Sequence, residues 1–233
     1  MENGILWRVT LGKNIIKGEC EMKNIKFELT ENTINWNGTT LYQIKACKAF
    51  VTSSGIEINE GELGGWIEKE ENLSQGGKAW IFKDAKVWDN AQILGNAEIW
   101  GNAVIRGKAK VYGNAKIYGD TITGGNAEVF GDAEICGDAE ICGDARIYDN
   151  AKVFGDAKIG GDAFISSPDD ILTITPLGKY RVSLTLFKTK NDSIKISYNW
   201  GIYTLEKFQS VMNDWTEEEQ KIVKAAIEIL GGC

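Results

Sequence analysis

From Gly77 to Ser166 the apolar positions recur neither at the helical spacing nor in unbroken alternation, but with a strict period of six. The segment divides into fifteen consecutive units of the form Gly-Asn/Asp-Ala-x-Ile/Val-x, with Ala third in fourteen and Ile or Val fifth in fourteen. One unit, carrying Thr121 and Thr123, departs at both positions. Two apolar residues flanking one variable residue describe a short strand whose apolar pair points to one side. The Gly-Asn/Asp step supplies the positive φ of a tight corner. Three such strands close a coil of eighteen residues, so the segment predicts about five stacked coils, a column ~24 Å tall at ~4.8 Å per coil.

Residues eighteen apart lie above one another, which sorts the outward positions into three faces. The first carries Trp80, Glu98, Lys116, Glu134 and Lys152, and the third Gln92, Lys110, Glu128, Arg146 and Phe164. Alternating signs from coil to coil predict ion pairs between neighbouring strands. The second face carries Lys86, Val104, Ile122, Glu140 and Lys158, followed at its corner by Trp88, Arg106, Gly124, Cys142 and Gly160. Corners of the other faces read Phe82, Trp100, Tyr118, Cys136, Phe154 and Leu94, Tyr112, Phe130, Tyr148, Ser166, two predicted aromatic ladders. The flatter, partly apolar second face is the expected subunit contact, with Val104, Ile122 and Gly124 at its centre and Trp88 and Arg106 flanking it.

The ends are not repetitive. Residues 1–60 form an expected N-terminal β cap, in which Asn37-Gly38 turns a hairpin between runs bearing Phe27, Leu29 and Leu41, Ile44. An irregular first coil follows from residue 61, with Trp66-Ile67 anticipating Trp80-Ile81. The repeat region, 61–167, ends before Pro168. Residues 168–233 predict a small α+β domain. Its apolar-alternating stretches are Ile171–Thr175, Arg181–Lys188 and Ser193–Tyr203, with a turn at Lys190-Asn191-Asp192. Two helices come next, one capped by Thr204 and one opened by the Thr216–Glu219 capping box; both are expected to close the open coil or join subunits.

Composition narrows the chemistry. The chain has 233 residues, 26 basic against 33 acidic, for a net charge of −7, which disfavours duplex nucleic acid and anionic membranes. No long apolar run or secretory leader is visible, and a cytoplasmic protein is expected. There is no histidine, which removes the commonest general base and zinc ligand. Five cysteines without a Cys-x-x-Cys pair predict reduced thiols rather than a disulfide framework or a metal site. No cofactor is implied.

The repeat resembles the hexapeptide-repeat left-handed β-helix family, and the handedness comes from that resemblance. Leu41-Tyr-Gln-Ile-Lys-Ala46, Gly64-Gly-Trp-Ile-Glu68 and Asn72-Leu-Ser74 before the repeats are similar to a bacterial and prophage subgroup. So are Thr175-Pro-Leu-Gly178, Phe187-Lys-Thr-Lys190 and Thr204-Leu-Glu-Lys-Phe208 after them. Similar tails carry Gly-Ser-Arg and Cys-Gly-Cys segments where this chain has Gly178-Lys-Tyr-Arg181 and Tyr198-Asn-Trp200. The resemblance implies a homotrimer with ligands held in the grooves between subunits. Members are often labelled transferases on fold alone, which is analogy.

Three functional readings follow. Acyl transfer and carbonic anhydrase chemistry, both found in proteins that the repeat resembles, use histidines that this chain lacks. The leading reading is a non-catalytic binding protein that captures a small nucleotide-type ligand, a host-defence signal if the prophage-like resemblance holds. Its candidate contacts are Trp88 and Arg106 beside the second face and Lys179, Tyr180, Arg181 and Trp200 in the tail, a mixture of cationic and aromatic groups suited to nucleotides. The alternative is a rigid trimeric scaffold that binds a host protein.

Overall fold

The computed structural model describes residues 25–177, 182–199 and 201–231. Two antiparallel strands, β1 (Phe27–Trp36) and β2 (Thr39–Ala46), are followed by the short pair β3 (Phe50–Val51) and β4 (Glu57–Ile58) and by β5 (Leu63–Ile67). Fifteen two-residue strands then run from β6 (Trp80–Ile81) to β20 (Phe164–Ile165). They pair in parallel at eighteen-residue spacing into three sheets, and with β5 make a parallel β-solenoid of about six turns. The three outward columns are those predicted: Val104 pairs with Lys86 and Ile122, Lys110 with Gln92 and Glu128, Lys116 with Glu98 and Glu134.

Between the sheets, the inward Ala and Ile/Val residues of every turn are buried in one continuous core. The corner explains the glycine in the first position of most units. Gly113 has φ +72°, and a Cβ there would lie 2.8 Å from the Gly131 nitrogen of the next turn. A side chain would therefore meet both backbone strain and its neighbour's main chain. The second position adds a polar ladder down the corner. Asn96 Nδ2 donates to Asn114 Oδ1 and Asn114 Nδ2 to Asp132 Oδ1, each at 3.0 Å. The exceptional unit breaks the apolar core. Thr121 Oγ1 satisfies itself on the Tyr118 carbonyl at 2.6 Å, whereas Thr123 Oγ1 is buried with no hydrogen-bond partner among the described residues.

The N-terminal hairpin turns at Asn37 (φ 50°) and Gly38 (φ 85°), the two positive values that a two-residue hairpin loop requires. β2 and β5 carry this hairpin into the second-face sheet, and Phe27 and Ile44 enter the solenoid core. Trp66 and Ile67 pair with Lys86 and Val87, so the irregular turn enters on the second face rather than above Trp80-Ile81, as the sequence pattern suggested. The first turn is longer than those below it, and the likeness of two Trp-Ile pairs is not a likeness of position. Lys26, fully covered, donates from Nζ to the Ala79 carbonyl at 2.9 Å. Burial, aided by Lys48, brings its ammonium down to about 8.

The tail sheet orders β21 (Ile171–Leu177), β22 (Val182–Lys188), β23 (Ile194–Tyr198) and β24 (Gly201–Thr204) as an antiparallel meander. The single stretch expected over Ser193–Tyr203 is thus two strands, joined where Asn199 takes φ 44°. Alternation along β22 gives the sheet two apolar sides. Phe187 joins the solenoid core, while Leu184 and Leu186 pack with Phe208 and Met212 of the first helix, α1 (Leu205–Val211) and its 3-10 extension, and with Val223 of α2 (Glu217–Ile229). Thr185 Oγ1 accepts the Lys158 amide at 3.1 Å, and Ala163 bridges to Thr189. The sheet closes the last coil, and the helices lie behind it. Of the two roles expected for the helices, closing the coil or joining subunits, the first thus falls to the sheet.

Asp170 ties the tail to the last coil. Its carboxylate accepts from the Ser166 and Ser167 amides at 2.9 and 3.0 Å and pairs with Lys188 at 2.8 Å. Burial pushes its pKa up, but the Lys188 contact and the Ser166 and Ser167 hydrogen bonds outweigh this and hold it below the ordinary carboxylate value. A carboxyl depressed in the folded state contributes stability that is present above its unfolded pKa and lost as pH falls through the folded one. Denaturation midpoints measured below pH ~4 are therefore expected to fall, with a smaller pH slope in Asp170→Asn. A second expectation concerns the buried hydroxyl: Thr123→Val removes an unpaired polar group at nearly constant shape and raises unfolding free energy by about 1 kcal/mol, readable by urea denaturation.

Candidate functional site

The second face is covered at both ends and open between them. At the top, Lys86 is buried, with its Nζ 4.4 Å from the centroid of the Trp36 ring and donating to the Asp84 carbonyl at 2.6 Å. Burial lowers its pKa, with Asp84 opposing. At the bottom, Lys158 pairs with Glu140 at 3.2 Å, and a Cβ on Gly160 would lie 2.7 Å from Ile202 Cδ1 of the tail sheet. Between these lie Val104, half-buried, and its register partner Ile122, an outward aliphatic 36% exposed. One step on are Arg106 and Gly124. Arg106 is exposed and lies across Gly124, where a Cβ would sit 3.4 Å from its Cγ and 3.6 Å from its Nε. The absence of a side chain at Gly124 is what lets the arginine stem lie flat.

The strand-and-corner pattern thus brings Val104, Arg106, Ile122 and Gly124 into one patch. Cys142 lies below it as an exposed free thiol, pushed up by burial and Glu140 and drawn down by Arg106. Trp88 does not join the patch as an available ring: it is 7% exposed and is part of the protein's interior. An outward register position says nothing about what another segment lays over it. Lys179, Tyr180, Arg181 and Trp200, the tail residues singled out in the sequence, lie outside the described residues.

The other two faces are largely self-satisfied. On the third, Arg146 pairs with Glu128 at 3.1 Å, and Tyr112, Phe130 and Tyr148 stack at 4.8 and 5.2 Å. On the first, Lys152 meets Glu134 at 3.9 Å, and Phe82 stacks on Trp100 at 3.7 Å. The upper part of that face is covered by the β3–β4 pair. Phe50 packs edge-on to the buried Trp80 with ring centroids 5.4 Å apart. Ser53 Oγ and the Ser54 amide donate to Glu98 Oε1 at 2.7 and 2.8 Å. Glu98 is fully buried, and its Oε2 has no partner among the described residues. A hollow of about 680 Å³ beside β1, β2 and the Glu70–Asn72 turn is lined by five glutamates against two lysines, a balance that does not suit an anion.

Among the described residues no group of three or more Cys, Asp or Glu is placed to hold a metal ion, and no helix is long and apolar enough to cross a membrane. Cys47 is disulfide-bonded, which corrects the expectation of reduced thiols throughout. Sequence spacing gave no sign of this, because pairing depends on which segments the fold brings together.

No protein-family model matches the chain, and no curated protein matches it.

Proposed function

We propose that the protein is a non-catalytic binding protein. In this reading it is a left-handed six-residue-repeat β-helix that assembles as a homotrimer through its second face and captures a small anionic ligand of nucleotide type beside Arg106. The supporting observation is the open patch on that face, with Val104 and Ile122 as its apolar centre and Arg106 spread over Gly124 at its edge. An exposed isoleucine beside a half-buried valine, on an otherwise charged solenoid, favours burial against another chain. A guanidinium at the margin of such a contact offers planar, bidentate recognition of phosphate or carboxylate. The resemblance to a bacterial and prophage subgroup is what directs the ligand class toward host nucleotide signals, and with it a location in the bacterial cytoplasm.

The self-satisfied ladders of the third face favour the second reading, a rigid trimeric scaffold for a host protein. Native mass spectrometry of the full chain separates the two. A trimer retaining a reproducible small-molecule mass, lost in Arg106→Ala, is the expected result. A bare trimer that co-purifies with a stoichiometric protein selects the scaffold. Ile122→Glu is expected to yield monomer with an unchanged far-ultraviolet spectrum, and a monomeric wild-type protein would overturn the assembly.

A further inference from the structure

The first face holds a cation that its ladder leaves over. Lys116 has Glu98 above it and Glu134 below it in register. Both carboxylates are engaged elsewhere, Glu98 with Ser53 and Ser54 and Glu134 with Lys152. Lys116 therefore has no ion-pair partner among the described residues, unlike Arg146, Lys152 and Lys158 in the same fold.

The corner ladder breaks at the same level. Phe82 covers one face of Trp100, but the next ring, Tyr118, makes no ring contact with it, and Cys136, a small residue, interrupts the aromatic column one turn on. Tyr118 is 36% exposed. Between the two rings opens a hollow of about 470 Å³, lined by Trp100, Gly101, Lys116, Tyr118, Gly119 and Glu134. Its size is that of a small-ligand site. A free aromatic face, a second aromatic edge and an unpaired ammonium converge on it.

We infer that this first-face hollow binds a planar aromatic ring carrying one anionic group, of the nucleoside monophosphate class. The ring stacks on Trp100 beside Tyr118, and Lys116 takes the anion. Aromatic stacking is tolerant of ring identity, so the site selects for a flat ring and a single charge rather than a particular base. Glu134 in the lining adds negative charge at the margin and disfavours longer polyphosphates. The site lies within one chain, on a different face from Arg106, and rests on neither the trimer nor that arginine.

Isothermal titration of the full chain with adenosine 5′-monophosphate, adenosine and inorganic phosphate tests it. Binding of the monophosphate is expected to exceed that of either fragment. Trp100→Ala is expected to weaken it about tenfold or more, and Lys116→Gln to reduce it to the level of adenosine. Lys110→Gln on the third face serves as the charge-matched control and leaves it unchanged. Since Trp100→Ala removes a packed ring, Lys116→Gln, an exchange on the outward column, guards against a folding artefact. No binding of the monophosphate, or binding that Lys116→Gln leaves intact, overturns the inference. Binding lost in Arg106→Ala but not in Lys116→Gln also overturns it, while leaving the second-face reading standing.

Discussion

Each turn of the solenoid must bend its main chain three times and still stay within hydrogen-bond reach of the turns on either side. Those two demands meet at the corner. The Gly113 amide region sits so close to Gly131 that a β-carbon would overlap it, and the same residue holds a positive φ. Inter-turn pairing continues through the glycine corners, as in the Asn96 amide to Gly113 carbonyl bond at 2.8 Å and its equivalents down the stack. Once the corner is set, the inward residues have only the space between three sheets, and Ala with Ile or Val fills it turn after turn.

This regularity restricts where anything other than structure can be placed. Inward positions are committed to packing, as the buried, unpaired Thr123 hydroxyl illustrates by departing from it. Several outward charges pair with their register neighbours, and rings stack along the third-face corner. Chemistry is left to positions where a ladder is interrupted: the aliphatic pair and Arg106 on the second face, and Lys116 between two engaged glutamates on the first. Interruption on a repeating scaffold is a physical signal, because the neighbours that would satisfy the group occupy known positions.

The non-repetitive ends act on the column in different ways. The N-terminal hairpin lengthens one sheet and lays β3–β4 over another, burying Trp80 and Glu98. The tail sheet turns one side toward the last coil through Phe187 and Thr185 and its other side toward two helices. Packing the tail sheet on the last coil covers strand edges that would otherwise invite further stacking.

Local chemistry was enough to establish the period of six, the three outward columns, the Asn37-Gly38 hairpin and the Thr216–Glu219 capping box, because each depends on residues adjacent in sequence or at a fixed spacing. The patch of Val104, Arg106, Ile122 and Gly124 was legible for the same reason. Long-range coverage was not. That Trp88 is interior, that Glu98 lies beneath Ser53 and that Lys26 caps a carbonyl of Ala79 depend on which distant segment folds over which face. The sequence alone determined the repeating column, since its constraints are local and recur. Tertiary structure decided which parts of that column stay open, since coverage is a property of segments meeting in space.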